Sequence, residues 1–517
     1  MTGGMMRDAD SFTINSIGTP ALILMEHAAL AIMDAAVHEA NRNSRILAVS
    51  GSGNNGGDVV AAARLLMQKG YCTEVFFACE RDRTSELNRL QTTIYQNLGG
   101  CIKFLDEFAD IELLHEYMNS YDLILDGLFG TGMSRPADEI MQQVIGSINE
   151  SSARIIAADI PSGINSTDGS IMGAAVEADT TVAIQYMKLG HLLYPGADHC
   201  GHIITADIGI RREESMRPAA LSLTDADIRA MLPGRRRRSN KGTYGKALIA
   251  AGGPGMAGAA VLASSAALRS GLGLCICATS VVNRSVIQTR VPEAVYKSWE
   301  DAAILEETIL SCDAVAAGPG LGMGEEARAV LDLILKKTVC PLVLDADALN
   351  ILSEYSPDEL RRLAGEKRRP VIITPHPGEM SRLTGKSVKE ILADPMKTAA
   401  EYASLTGFIV LLKDASTIIT DGQKFYINHN GCDGMATGGS GDVLTGIICS
   451  LLAQGMDALS AAACGAYLHG AAGNLAARDR SNRGMTSIDL EEHIPEVFKY
   501  LGEDIYGEEK QSGMCSC

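Results

Sequence analysis

Gly438-Gly439-Ser440-Gly441-Asp442 runs directly into the apolar stretch Val443-Leu444-Thr445-Gly446-Ile447-Ile448. Glycines let a backbone turn tightly and aim several N–H groups at one point, and a helix that follows turns its positive end the same way. Such a loop cradles an anion. Asp442 is its odd member, because a carboxylate beside bound phosphate repels it unless it does chemistry. The chemistry that fits is general-base catalysis, taking a proton from a hydroxyl that attacks a terminal phosphoryl group. The competing reading is a plain Gly/Ser loop with Asp442 as a helix N-cap.

The second half of the chain holds further polar motifs. Gly252-Gly253 and Ala257-Gly258-Ala259 come first, then Gly318-Pro319-Gly320-Leu321-Gly322 and Asp345-Ala346-Asp347. Thr374-Pro375-His376-Pro377-Gly378-Glu379 and Lys413-Asp414-Ala415-Ser416-Thr417 follow. A lysine with Ser/Thr close behind it at a strand end suits a nucleotide phosphate. His376, between two prolines, has a rigid backbone and reads either as a turn residue or as a substrate contact.

The first half has its own set. Gly51-Ser52-Gly53-Asn54-Asn55-Gly56-Gly57-Asp58 lacks the spacing of a dinucleotide fingerprint, and its amides and Asp58 add side-chain recognition that a simple phosphate loop does not need. Asp126-Gly127-Leu128-Phe129-Gly130-Thr131-Gly132 and Asp159-Ile160-Pro161-Ser162-Gly163 each set a carboxylate before a glycine turn. One such Asp is ordinarily a cap or turn former. Three on one rim make a polar site.

Parallel strands must position these loops. Arg45–Ser50 reads as a buried strand, followed by a Gly/Asn turn and a helical run over 59–68; further strands are expected at 71–79, 123–126 and 155–159. Short apolar runs alternating with helices imply a parallel sheet covered on both faces, with ligands at the carboxyl ends of its strands. After the charged, helix-compatible segment 211–233 and the basic joint Arg235-Arg236-Arg237-Arg238, which reads as a solvated linker, strands resume at 247–250, 314–317, 342–345, 371–374 and 409–412. No mutual repeat relates the halves, so two different α/β domains are expected, over 1–215 and 225–505, with a flexible tail over 506–517.

Composition narrows the function. A chain of 517 residues is too long for one ordinary core. The net charge of −18 and an aromatic content of 5% argue against a nucleic-acid partner. The thirteen cysteines contain no Cys-x-x-Cys pair; Cys275 and Cys277 read as buried strand residues, and Cys515 and Cys517 as part of a frayed end. No secretory leader is legible at the N-terminus, and Glu26 and His27 interrupt the best membrane-spanning candidate, so a cytoplasmic, membrane-free protein is expected.

Met25-Glu26 and the three first-half motifs resemble the NAD(P)H-hydrate epimerase domain over roughly residues 10–212. The second-half series resembles the ADP/ATP-dependent NAD(P)H-hydrate dehydratase, a ribokinase-like fold, over about 225–500. The resemblance implies a Rossmann-like epimerase domain followed by a ribokinase-like dehydratase domain. It implies that Asn54, Asn55, Gly56, Gly57 and Asp58, with Gly130, Thr131, Gly132, Met133, Ser134, Arg135 and Pro136, line the hydrated dinucleotide, and that Asp159 works as acid/base at the reacting ring. Asn55, Asp126 and Ser162 would ligate K⁺. In the second domain, Ala259, Gly322, His376 and Asp442 would meet the hydrate, with Asp442 catalytic. Lys413, Asp414, Ala415, Ser416, Thr417 and Gly441 would hold the nucleotide, Mg²⁺ accompanying ADP. The implied partners are hydrated NADH and NADPH (NADHX and NADPHX), ADP, and further copies of the chain in a homo-oligomer. Two rival readings stand beside this: a ribokinase-like kinase for a small vitamin precursor such as a hydroxymethylpyrimidine, and an N-terminal half that is only a binding or scaffold module.

Overall fold

A computed structural model of the chain describes residues 1–80, 83–133, 135–367 and 369–502. Ser134 and the tail expected over 506–517, with Cys515 and Cys517, lie outside the described residues. The chain divides into two compact units, Met1–Ala219 and Ala220 onward. The second unit begins before the expected residue 225 because Leu221 hydrogen-bonds on both sides to the edge strand that carries Phe425 and Ile427.

The first unit is built on seven strands: β1 (Arg45–Ser50), β2 (Cys72–Phe77), β3 (Cys101–Phe104), β4 (Leu123–Gly127), β5 (Arg154–Ala158), β6 (Thr180–Ile184) and β7 (His202–Ala206). They lie in the order β3-β2-β1-β4-β5-β6-β7, and every pairing is parallel. Strand alternation explains the two cores. Ile46 and Ala48 of β1 face one cluster, with Ala29, Ile32 and Val60, while Leu47 and Val49 face another, with Ile145 and Ile148.

Two expectations need correction here. The helix after β1 spans Asn54–Gln68, so the Asn-Gly-Gly segment is its first turn and not a loop before it. Gly53 occupies the cap position with extended backbone, which lets helical hydrogen bonding start early. The helix Ala21–Glu39 is long and apolar enough to cross a membrane by length and composition, despite Glu26 and His27. Its Leu24, Met25, Ala28 and Ile32 are buried in the domain core, and Glu26 is ion-paired with Arg64.

Nine strands form the second unit's sheet: β8 (Lys246–Ala250), β9 (Leu274–Thr279), β10 (Val295–Ser298), β11 (Ala314–Ala317), β12 (Leu342–Leu344), β13 (Val371–Ile373), β14 (Ile409–Leu412), β15 (Thr417–Thr420) and β16 (Phe425–Asn428). Their order is β10-β9-β8-β11-β12-β13-β14-β15-β16. All pairings are parallel up to β14; β15 and β16 close the edge antiparallel. Cys275 and Cys277 are fully buried on β9. The segment 211–233 holds one short helix, Asp225–Met231, and no longer one. Helices Ala257–Arg269 and Ser440–Ala453 pack tightly, since a Cβ on Gly446 would lie 2.2 Å from the Ala263 carbonyl oxygen.

Strand order reverses beside β1 in the first sheet and beside β8 in the second. In open α/β sheets this is where ligands bind, outside the carboxyl ends of the strands. The polar loops singled out in the sequence emerge at those ends.

Candidate active sites

In the first unit the loops after β1 and β4 touch: Gly51 donates to Gly127 O at 3.1 Å, and a Cβ on Gly51 would lie 1.9 Å from Leu128 O. Beside them opens a cavity of about 860 Å³. Asn54, Asn55, Gly56 and Asp58 line it from the first turn of the helix Asn54–Gln68, Gly130, Thr131, Gly132, Met133, Arg135 and Pro136 from the loop after β4, and Asp159 from the end of β5. Gly57 is placed differently from the expectation. It packs against the helix Ala21–Glu39 and Asn88, where a Cβ would come 2.7 Å from Met25 Cε.

Behind the cavity wall, Asp126 is fully buried at the end of β4. It accepts from Ser162 Oγ at 2.6 Å, from Ser162 N at 2.8 Å and from Leu128 N at 3.1 Å. Burial pushes its carboxyl up to about 6, against the hydrogen bonds from Ser162 that hold it down. Phe129 N donates to Ser162 Oγ at 2.7 Å, and Asn55 Nδ2 donates to Phe129 O at 2.8 Å. Asn55 Oδ1 is left buried with no hydrogen-bond partner. An orphaned amide oxygen beside a buried carboxylate and a hydroxyl is a donor set that suits a hard cation.

Asp159 stands in the left-handed region, at φ 66°. Its Oδ1 accepts from Ile184 N at 3.1 Å and is ion-paired with Lys188, whose side chain is fully buried. Lys188 Nζ also donates to Ile184 O at 2.9 Å. His191 accepts from Lys188 N through Nδ1, so its Nε2–H donates to Asp159 O at 2.8 Å. Burial, with Lys188 beside it, drops the His191 ring to about 3, which keeps it neutral. Asp58 is raised well above the usual carboxylate range by burial and by Asp159 and Asp10. The cavity thus holds an ion pair, Asp159 with Lys188, beside a carboxyl that burial and its acidic neighbours push upward.

The sequence reading missed Lys188 and Asp10. Lys188 follows β6, a strand it did not find. Asp10 lies on a helix with no motif.

In the second unit Asp345, at the end of β12, is buried and bonded to Lys413 Nζ at 2.8 Å and to Thr445 Oγ1 at 2.8 Å. Lys413 differs from the expectation in its direction. Its ammonium turns inward to Asp345, with Glu379 at 3.9 Å, and is held above the usual lysine range by those carboxylates against its burial. The ammonium still borders the glycine loop: a Cβ on Gly441 would lie 3.3 Å from Nζ and 3.5 Å from Asp345 Oδ2. Asp414 and Ala415 are exposed at the β14–β15 turn, Ser416 is buried, and Thr417 starts β15.

Asp442 lies in the first turn of the helix Ser440–Ala453, whose cap position is Gly439 at φ 91°. The cap position belongs to Gly439, three residues earlier, so Asp442 is not the N-cap of this helix. Burial first, then Asp345, push its carboxyl up to about 7, with Lys413 restraining the rise. A carboxyl poised there is matched to proton transfer near neutral pH.

His376 caps the helix Pro377–Thr384, accepting from Gly378 N at 3.0 Å through Nδ1, while half its side chain stays exposed. Asp347 accepts from Gly322 N at 2.8 Å and so fixes the loop after β11. Ala259 sits against Gly320 of the same loop, 3.0 Å from where its Cβ would be.

Two sheets of this topology, each with glycine loops and poised carboxylates at its switch point, define a tandem α/β enzyme with one site per domain. The family described as YjeF-related protein N-terminus matches residues 21–190, and the NAD(P)H-hydrate dehydratase family matches residues 247–496. The chain is 36% identical over 527 aligned positions to the bifunctional NAD(P)H-hydrate repair enzyme Nnr of Moorella thermoacetica, covering 98% of this chain and 97% of that one. It is 36% identical to the protein of the same name from Thermofilum pendens, covering 94% of each. A solved structure of the ADP/ATP-dependent NAD(P)H-hydrate dehydratase from Bacillus subtilis, co-crystallised with ATP/Mg²⁺, is 36% identical with a TM-score of 0.50, covering 55% of this chain and 99% of that one. The chain belongs to the bifunctional NAD(P)H-hydrate repair enzyme family.

Proposed function

We propose that this protein repairs hydrated NADH and NADPH. The first domain interconverts the R and S hydrates, and the second dehydrates the S form at the expense of a nucleotide, ADP by the resemblance of its motifs. The observation that carries the reading is Asp442, a carboxyl raised to about 7 within a glycine cradle. It takes the proton from the ring hydroxyl of the S hydrate as the hydroxyl oxygen attacks the terminal phosphoryl group. Gly441 allows close backbone approach, and the N-terminus of the helix Ser440–Ala453 stabilises charge on the phosphoryl oxygens. Mg²⁺, when bound, offsets charge on the nucleotide. Phosphate is a far better leaving group than hydroxide, so its elimination restores the dihydronicotinamide. Lys413 serves here chiefly by pairing with Asp345 and restraining the rise of the Asp442 carboxyl, with its ammonium at the border of the nucleotide's phosphates.

In the first domain Asp159 is the acid/base at the reacting ring, and its ion pair with Lys188 holds it oriented. Asn55, Asp126 and Ser162 would hold K⁺, which would satisfy Asn55 Oδ1 and fix the loops after β1 and β4 against each other. The names of the near-full-length relatives favour this reading over a small-molecule kinase, which leaves the first domain unexplained. A scaffold role does not account for the buried Asp159–Lys188 pair on a cavity of dinucleotide size.

The test is incubation with chemically hydrated NADH, a mixture of epimers, and ADP·Mg²⁺. Dihydronicotinamide absorbance should return fully, with release of inorganic phosphate. A stable phosphorylated product would establish the kinase reading instead.

A further inference from the structure

Residues 1–20 precede the stretch matched by the N-terminal family, yet they build one wall of the first cavity. The helix Gly3–Phe12 contributes Met6, Arg7 and Asp10 to that wall, and Ile14 follows one turn later. Positions 6, 10 and 14 are four apart and share a face. The helix is latched onto the loop after β4. A Cβ on Gly3 would lie 2.2 Å from Ser166 Oγ and 3.1 Å from Thr131 O, and Arg7 Nη1 donates to Thr131 O at 3.4 Å. Arg135, on the same loop, lines the same cavity. Among the described residues neither guanidinium has a carboxylate within ion-pair distance. Asp10, on the same helix as Arg7, is itself raised by burial and by Asp159.

We propose that Arg7, together with Arg135, binds a phosphate group of the dinucleotide in the first cavity and so determines which end of the substrate meets Asp159. The proposal rests on the reading of this cavity as the epimerase site. A guanidinium offers a fork of N–H donors that matches phosphate oxygens. Asp10, Asp58 and Asp159 give their part of the wall carboxyl oxygens and no guanidinium, which suits the uncharged ring better than a phosphate. In a chain of net charge −18, these arginines are what draws an anionic dinucleotide in. The phosphate is either the bridging diphosphate, common to both substrates, or the 2′-phosphate that only the NADP form carries.

The experiment is calorimetry of NAD⁺ and NADP⁺ on the full chain, with excess ADP·Mg²⁺ occupying the second domain, for wild type and Arg7→Gln. Glutamine removes the charge, while the close packing of Gly3 on Ser166 and Thr131 still latches the helix. If Arg7 binds the bridging diphosphate, both affinities should fall about tenfold, the worth of one hydrogen bond to a charged group. If it binds the 2′-phosphate, only NADP⁺ should weaken. In either case the salt dependence of binding should flatten in the variant, which a packing role would not cause, and Arg7→Lys should recover part of the loss. Equal affinities of wild type and Arg7→Gln for both probes would overturn the proposal, as would failure of the wild type to bind either. Binding is read without turnover, so a wild type that binds both probes but does not equilibrate the epimers would overturn the epimerase reading and leave only the arginine–phosphate contact standing.

Discussion

Asp442 stands just after a glycine loop at a helix N-terminus and beside a buried acidic neighbour, and burial with that neighbour raises its carboxyl to about 7. Because the active base is the deprotonated form, dehydration should fall as pH drops through about 7, roughly tenfold per unit, and level off above. A pH profile of single-turnover dehydration checks this. Asp442→Asn should lose about 10²–10⁴-fold in turnover while calorimetry still detects nucleotide, since the glycine loop remains. Wild-type-like turnover in that variant would remove Asp442 from the mechanism. Lys413→Met should move the acid limb to higher pH, because Lys413 restrains the Asp442 rise. It should also destabilise the domain by about 3–5 kcal/mol, leaving Asp345 buried without its cation.

At the scale of elements, each site depends on close backbone approach. The helix Ser440–Ala453 keeps its N-terminus at the proposed nucleotide site only while it lies flat on the helix Ala257–Arg269, through Gly446. Gly446→Val should cost about 1–3 kcal/mol or more by overpacking. Denaturant unfolding should register that loss, with a parallel loss of nucleotide affinity as the loop shifts. In the first domain, the loops after β1 and β4 meet around Asn55 Oδ1. If K⁺ satisfies that oxygen, thermal unfolding should occur at higher temperature in KCl than in tetramethylammonium chloride, and Asn55→Ala should abolish the difference. Identical melting of the wild type in the two salts would mean that no cation occupies the site.

For the molecule as a whole, two activities on one chain make a separable prediction. Asp159→Ala should abolish equilibration of the epimers yet leave dehydration of the S hydrate intact, because Asp442, Asp345 and Lys413 belong to another domain with its own core. On an epimer mixture the progress curve should become biphasic: a fast phase equal to the S fraction, then a slow phase limited by spontaneous epimerisation. A single fast phase to completion would make Asp159 a turn former, held at positive φ for structural reasons alone.

Glycine runs, strand-end carboxylates and apolar alternation are local properties, and they carried much of this protein's reading. Gly51–Asp58, Asp126, Asp159 and Gly438–Asp442 were legible because tight turns and anion cradles need those residue types at those spacings. β1, β11 and β14 were legible because fully buried parallel strands are short apolar runs. The shorter or more polar β3, β7 and β16 carried no such signal. Tertiary structure alone decided the charge partners. Lys188 reaches Asp159 only because β5 and β6 are neighbours in the sheet, and Lys413 turns to Asp345 because β12, β13 and β14 lie side by side. The Asp442 pKa depends on Asp345, nearly a hundred residues earlier in the chain. The helix carrying Arg7 and Asp10 has no motif to announce it, and its place in the cavity wall arises from docking on Thr131. A spacing specifies what a loop can bind; which charges surround it follows from strand order and packing.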